Sequence, residues 1–492
     1  MQMKAEVHTS SIYQELCKKI GEEKVTDDET ILVTYGFDYS AVPFKKPSLV
    51  ALPESREDVQ EVLKLANEYR IPVTAMSAGV SQSGLSVPSE GGIVVDFRKM
   101  NRILDINTDS WYAVIEPGVT FNQFTSALRE EGFRCHIPTA PGSTMPLANY
   151  MMTPSGSLAN RHYDSIVSLE VVIPDGTVIR TGSDAWPAVK PFKRYGIYPD
   201  LTGLFCCSYG TLGVVTKGSI RIYPINESNR INLTAFDDYA SSVRFVKDVI
   251  GSNIPEHCII WNWQAYKTYD ITVQRYEDPY VPPELFQDPR KAPKELPYNI
   301  VTTLMSGYEE AMVVADRICA KVAKKYGGRT VSPEEMEQKA PGATEAWKGF
   351  YGDYHSPGMY HSKKYGIGQY IPFIVQATPE DVVKVERLAL DSLCDIGLRT
   401  LCYYSQPYDF GRAMFFRIFT FVDPEDKEYQ AKIRSTCAKL YTTVMEKYGA
   451  VRNRARGFET GLLSQMGGYG DLLKRIKNVV DPNNILQPGQ VF

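Results

Sequence analysis

The stretch LVALPESREDVQEVLKLANEYRIPVTAMSAGVSQSG, residues 49–84, constrains the fold more than any other. LVALP reads as a strand, and residues 55–70 place Val59, Val62, Leu63 and Ala66 on one helical face behind a Ser55/Asp58 capping pair. A second apolar run then enters a loop of small residues broken only by Val80 and Gln82. The unit is therefore β-α-β, and it ends in backbone with little side-chain bulk. That loop has no Lys or Arg, lacks the Gly-Lys-Ser/Thr end of a P-loop, and does not match G-x-G-x-x-G. What it offers instead is a row of main-chain N–H groups that an anion can approach closely.

The alternation continues beyond the loop. GGIVVDFR (91–98) and WYAVIEPG (111–118) read as strands, and TFNQFTSALREEG (120–132) as a helix opened by a Thr120/Gln123 capping box. IVSLEVVIPDGTVIRTG (166–182) predicts a β-hairpin turning at Asp175-Gly176, and TLGVVTKGSIRIYPI (211–225) a single long strand. From about residue 228 the units lengthen. RINLTAF, CIIWNW, QYIPFIVQ (369–376), LRTLCYYSQ (398–406) and AMFFRIFTFVD (413–423) are strand-like. YASSVRFVKDVIGS, a segment starting near Pro379 and KEYQAKIRSTCAKLYTTVMEKYG are helical, which predicts a sheet with helices on one face. Residues 277–298, rich in Pro and charge, predict a surface loop, and the tail from 452 returns to loop, helix and a Pro/Gly stop.

Composition narrows the function. A chain of 492 residues, 43% hydrophobic and 23% charged, is globular and long enough for roughly two or three domains. Its net charge of −4 gives no global pull toward nucleic acid or anionic lipid. The N-terminus lacks the apolar core of a signal peptide, and no run approaches the about 18 apolar residues that cross a bilayer. The expectation is a soluble, cytoplasmic protein acting on a small molecule. None of the nine cysteines forms C-x-x-C, so zinc ribbons, iron–sulfur ligation and a disulfide framework lack support, and Cys206-Cys207 reads as packing. His355 and His361 have no carboxylates at metal-site spacing, and no metal is expected. Any redox chemistry needs an organic cofactor.

Four segments in order resemble the vanillyl alcohol oxidase and 4-cresol dehydrogenase superfamily of FAD-linked oxidoreductases. They are the Ser77–Ser83 loop, YAVIEPGVT (112–120), LEVVIPDGTVIRTG (169–182) and the terminal DPNNILQPG (481–489). The resemblance implies an α+β fold: a two-part FAD-binding domain of residues 1–227 and 452–492, and a cap domain of 228–451 with an antiparallel sheet. It implies that the FAD pyrophosphate lies on Ser77, Ala78, Gly79, Val80, Ser81, Gln82 and Ser83. Further cofactor contacts would come from Pro117, Gly142, Ser143, Asn149, Gly213, Val214 and Val215.

The departures from the family pattern matter as much. No His stands in the 77–84 loop, and Met414 or Phe415 falls where the flavin-linked His of vanillyl alcohol oxidase stands, so the resemblance implies non-covalent flavin. Gln82 replaces one phenolate-binding Tyr, and the Tyr-Arg pair aligns with Asn453-Arg454, which keeps the Arg. Arg161 occupies the place of the family Asp, leaving His162 and Asp164 of RHYD as acid–base candidates beside it. Tyr403, Tyr404 and Arg412 are placed above the flavin. The segment 347–370, with seven aromatic residues besides His355 and His361, either lines a pocket or packs between domains. The implied activity is hydride transfer to FAD from a small aromatic substrate, a 4-alkylphenol or hydroxybenzyl alcohol. The alternatives are a hydroxy-acid or polyol dehydrogenase and a flavin-binding subunit of an electron-transfer complex. Both an electron-accepting protein partner and a homo-oligomer fit this reading.

Overall fold

The computed structural model describes residues 2–40, 42–136, 142–152, 164–267, 287–344, 347, 367–398, 400–423, 425–452 and 463–492. Its first sheet contains β1 (Val25–Thr26), β2 (Leu49–Ala51), β3 (Val73–Met76) and β4 (Ile93–Asp96), in the order β1-β2-β4-β3. β2, β4 and β3 run parallel, because the helix Arg56–Tyr69 carries the chain back between β2 and β3. Ser55 caps that helix by accepting the Asp58 N–H, while the Asp58 carboxylate accepts from Glu54 N–H and Lys24. Its face of Val59, Val62, Leu63 and Ala66 is buried against Leu49, Val73 and Ile93.

The second sheet contains β5 (Ile103–Asn107), β6 (Tyr112–Ile115), β8 (Ile166–Val172), β9 (Val178–Arg180) and β10 (Val214–Arg221), in the antiparallel order β5-β6-β10-β8-β9. A short ribbon pairs β7 (Phe133–Arg134) with β11 (Tyr223–Pro224). The Thr120/Gln123 box forms in full, and the 166–182 hairpin turns at Gly176 with φ +84°. Residues 211–225 do not make one strand. The Thr211 N–H closes a turn onto Ser208 O at 3.0 Å, and Ile222 leaves β10 to donate to Trp111 O at 3.0 Å.

The third sheet has seven antiparallel strands, β12 (Ser228–Phe236), β13 (Pro255–Asn262), β14 (Asn299–Gly307), β15 (Arg329–Val331), β16 (Ile367–Gln376), β17 (Thr400–Tyr408) and β18 (Ala413–Val422), ordered β15-β12-β14-β13-β17-β18-β16. Helices Tyr239–Gly251, Glu309–Lys325, Pro379–Cys394 and Lys427–Tyr448 cover one face, where Cys258, Ile260, Tyr403, Phe416 and Ile418 are buried among their apolar residues. Strand alternation turns Ile259, Trp261 and Tyr404 to the other face, where they join a separate cluster. The expected surface loop is only partly one. In its described portion, Leu296 is buried, and Trp263 Nε1 and Gln264 Nε2 donate inward to Pro289 O and Gln287 O.

The chain's end returns to the first sheet. Val73 N–H donates to Ile485 O at 2.7 Å and Gln487 N–H to Val73 O at 2.8 Å. A buried Lys477 fixes this tail by donating to Thr211 O at 2.8 Å, Leu486 O at 3.1 Å and the Asp481 carboxylate, which also accepts from the Ile485 and Leu486 N–H groups. DPNNILQPG thus docks on the first sheet, and Leu473, Ile476 and Val480 of the helix before it pack against the core of the second.

Candidate functional site

The loop after β3 leaves the carboxyl end of a parallel strand, the usual place for ligand sites in such sheets. Gly79 takes φ +68° and Gly84 φ +77°, and a Cβ on Gly84 would come 2.3 Å from Val42 Cγ2. Among the described residues, the N–H groups of Ala78, Gly79, Val80, Ser81 and Gln82 donate to no protein acceptor. Ser81 braces the bend, its carbonyl accepting from Tyr39 N–H at 2.9 Å and its Oγ from Ser83 N–H at 3.1 Å. Ser83 Oγ is buried with no partner. From the other side, Gln487 Nε2 donates to Leu85 O at 3.2 Å and Gln490 Nε2 to Gly84 O at 3.3 Å. Undonated amides, an orphaned hydroxyl and small side chains fit the pyrophosphate of a dinucleotide. Beneath lies Asp38, bonded by Ser40 and Ser86 and pushed up to about 6 by burial.

The other expected cofactor residues divide. Gly142 sits in a turn clamped to the helix Phe121–Glu130, its carbonyl accepting from Asn122 N–H at 2.9 Å; Ser143 follows it, and Asn149 lies in the helix Pro146–Met152. Pro117 precedes Gly118, where a Cβ would meet Phe97 O at 2.1 Å, so that turn is set by packing. Gly213 is needed against β8, since its Cβ would fall 2.4 Å from Val171 Cγ1. Val214 is core, paired with Val172, and Val215 is its partly buried neighbour. Just before them, Cys207, Tyr209 and Gly210 all take positive φ, with Gly210 packed on Gln487. That strained turn, together with Lys477 and Gln490, has no periodic signature in the sequence. Cys207 is exposed, against the packing expected of it.

The face of the third sheet away from its helices is a second candidate part of the site, and it too is buried, with Trp261 and Tyr404 packed among Trp263, Leu296, Met336 and Trp347. Its central row runs Trp261, Tyr404 and Arg417, set side by side by the strand register. Trp261 and Tyr404 stack with centroids 4.8 Å apart, and Phe419 stacks on Tyr404 at 6.0 Å. Arg417, only 5% exposed, lies 4.2 Å from the Tyr404 centroid and 4.3 Å from that of Phe415, and donates to Gln406 Oε1. The face is therefore aromatic, desolvated and cationic at its centre.

Parity separates the residues the sequence grouped together. Tyr403 faces the helices and donates to Glu386 Oε1 at 3.1 Å, while burial pushes Glu386 up to about 7. Arg412 sits in the β17–β18 turn, paired with Asp409 and largely exposed. Neither shares a face with Tyr404. Met414 points into the helix layer and Phe415 to the opposite face. Asp164 stands before β8, where Tyr195 donates to its Oδ2 and Arg194 pairs with its Oδ1 at 3.2 Å. Arg161, His162, Arg454, His355 and His361 lie outside the described residues. Among the described residues no three His, Cys, Asp or Glu side chains gather as a metal site, and no helix is long and apolar enough to cross a membrane.

The FAD binding domain family matches residues 47–182. The 4-cresol dehydrogenase (hydroxylating) flavoprotein subunit of Pseudomonas putida is 26% identical over 96% of this chain and 93% of its own. A probable mitochondrial D-lactate dehydrogenase of Danio rerio is 30% identical over 48% of this chain, and a glycolate oxidase subunit of Bacillus subtilis 29% identical over 50%. The chain spans about half the length of these two, 47% and 52%. Substrate-bound p-cresol methylhydroxylase superposes with a TM-score of 0.82 at 24% identity, covering 98% of this chain and 96% of the other. The isoeugenol complex of 4-ethylphenol oxidase from Gulosibacter chungangensis does so at 0.82 and 20% identity, with the same coverage.

Fold, loop and relatives together define an FAD-dependent oxidoreductase, with FAD as its cofactor. Within that class the chain is similar along nearly its whole length to the 4-cresol dehydrogenase flavoprotein subunit and shares the fold of p-cresol methylhydroxylase, with an FAD-binding domain and an antiparallel-sheet cap.

Proposed function

We propose that this enzyme oxidises a small aromatic substrate of the 4-alkylphenol or hydroxybenzyl alcohol type. The observation that carries the reading is the cap-sheet face away from the helices, where Arg417 is buried against the rings of Tyr404 and Phe415, and Trp261 and Phe419 stack on Tyr404. Stacked rings suit a planar substrate, and a desolvated guanidinium suits the phenolate oxygen, whose charge is given up as hydride leaves the benzylic carbon for the flavin and a neutral quinone methide remains. The relative aligned along nearly the whole chain is named for a cresol, whereas the D-lactate and glycolate relatives share about half. Bound FAD supplies the two-electron acceptor. The protein's own groups orient the substrate and hold charge.

The reading divides the chain at about residues 228 and 452, puts the pyrophosphate on the amides of Ala78 to Gln82, and makes Arg454 a second cation for the substrate oxygen. RHYD supplies the acid–base group, with Arg194 and Tyr195 positioning Asp164. The flavin is non-covalent because Met414 or Phe415, neither of them a nucleophile, falls where the resemblance places the flavin-linked His. Acid precipitation should release it, and flavin retained in the pellet would overturn that assignment. The main test is turnover of 4-methylphenol, 4-hydroxybenzyl alcohol, D-lactate and glycolate with an artificial electron acceptor, for wild type, Asp164→Asn, His162→Gln and Arg454→Met. Phenols should be oxidised, with kcat/KM down by the equivalent of about 2–4 kcal/mol in Arg454→Met and turnover hurt more by Asp164→Asn than by His162→Gln. Turnover of the 2-hydroxy acids alone would replace this substrate class. Dependence of that turnover on an added protein would identify an electron-accepting partner.

A further inference from the structure

The chain between β9 and β10 carries an apolar surface that neither the cofactor cradle nor the cap sheet uses. Residues 183–201 hold seven large apolar side chains out in solvent. Trp186, Phe192, Tyr195 and Leu201 are about half exposed, Val189 somewhat less, Tyr198 is 70% exposed and Ile197 83%. Single exposed apolar residues are ordinary on a protein surface, but a contiguous group of this size marks a contact region.

The stretch is built rather than loose. Ser183 Oγ donates to Lys190 O at 2.7 Å and accepts from the Phe192 and Lys193 N–H groups at 3.0 and 3.1 Å. Ser183 N–H donates to Lys193 O at 2.7 Å, and Ser219 Oγ of β10 to Pro191 O at 2.7 Å. Farther along, Trp186 stacks on Tyr198 with centroids 6.2 Å apart. The buried Arg194 lies 5.3 Å from the Tyr195 centroid and donates to Asp200, which caps the helix Leu201–Phe205. These ties draw the apolar side chains together and fix them in place, so little ordering remains to oppose association.

Whatever covers this face must match its size and charge. From their fractional exposures, the seven side chains present on the order of 700–800 Å² of surface, close to what one partner contributes to a standard protein–protein interface. Within 185–201 the exposed charges are Lys190 and Lys193, since Arg194 and Asp200 neutralise each other. A face this large, aromatic and poor in charge has the character of a homodimer interface, whereas a passing electron-transfer encounter uses a smaller one. A second copy brings the same charge-poor surface and meets little repulsion.

We propose that this face is where two copies of the chain join, in an isologous dimer that buries Trp186, Ile197 and Tyr198 at its centre and leaves Lys190 and Lys193 at its rim. The pairing does not rest on the proposed substrate. Its one link to the candidate site is Tyr195, which lies on the face and donates to Asp164.

Sedimentation of the FAD-loaded full chain tests it, and wild type should have the mass of two chains at about 10 µM. Ile197→Glu combined with Tyr198→Glu, at positions too exposed for the monomer's fold to need them, should raise the dimer Kd about thirtyfold or more, with flavin content and circular dichroism unchanged. Ile197→Lys serves in its place should the double variant not fold. Val314→Glu, at an exposed apolar position on the cap helix Glu309–Lys325, should leave the pair intact. Wild type that stays a single chain, or a pair that the Ile197 and Tyr198 substitutions leave as tight as before, overturns the assignment. So does loss of the pair in Val314→Glu alone. Single chains that bind an added electron-acceptor protein through Ile197 and Tyr198 would give the face to that partner instead. None of these outcomes bears on which substrate is oxidised, so failure here and failure of the substrate reading are separately visible.

Discussion

Tyr403 and Tyr404 are adjacent in the chain and serve opposite faces of one sheet. Tyr403 belongs to a buried polar network, accepting from Asn262 Nδ2 at 2.7 Å and meeting Tyr298 and Glu386. Tyr404 belongs to the aromatic row. Tyr404→Leu should therefore raise KM for aromatic substrates at normal flavin content, beside a stability cost of about 1–3 kcal/mol for the lost buried ring. Tyr403→Phe should leave KM alone and cost about 1–2 kcal/mol of stability by unpairing buried partners. The reverse pattern in steady-state kinetics and denaturant unfolding would invert the assignment of faces. Glu386 gives a pH signature. Its pKa rises from 4.5 to about 7 in the fold, so between these values the folded state binds more protons than the unfolded state. Its contribution is complete below about pH 4.5 and is lost as pH climbs through about 7. Glu386→Gln, which can still accept from both tyrosines, should match wild type near pH 4.5 and exceed it at about pH 8, by on the order of 1–3 kcal/mol. Denaturant midpoints that differ equally at both pH values would contradict this. The sequence singled out Tyr404 but not Arg417. A strand's period of two says that neighbours diverge without saying which face the helices cover.

At the scale of elements, the loop after β3 was the most legible part of the candidate site, because an anion cradle needs the absence of side chains and absence shows in a sequence. Gly79→Leu tests it. The positive φ there costs a branched residue about 1–2 kcal/mol, and the side chain would stand where the amides face their ligand. The variant should purify with reduced FAD and regain less of it on reconstitution; wild-type flavin content would remove the loop from the cofactor site. The helix Arg56–Tyr69, the Thr120/Gln123 box and the 166–182 hairpin were equally readable, since each is set by contacts a few residues apart. The break at Ile222 and the inward half of 287–298 were not. Their partners, Trp111 for one and the side chains of Trp263 and Gln264 for the other, are distant in sequence.

For the whole molecule, the account joins two halves of different kinds. The cradle is made by both chain ends, locked through Lys477 and Asp481, and a seven-stranded sheet turns one face to helices and leaves the other aromatic and cationic. The order of motifs made the first half legible from end to end. Substrate identity was harder to read, because it resides in which cap residues share a face, a property of strand register that no local motif records. The most direct measurement mixes FAD-loaded enzyme anaerobically with 4-methylphenol, and separately with D-lactate, while following the flavin's visible absorbance. Rapid bleaching by 4-methylphenol, none by D-lactate, and slowed bleaching in Tyr404→Leu is the predicted result; bleaching by D-lactate with 4-methylphenol inert would contradict the account.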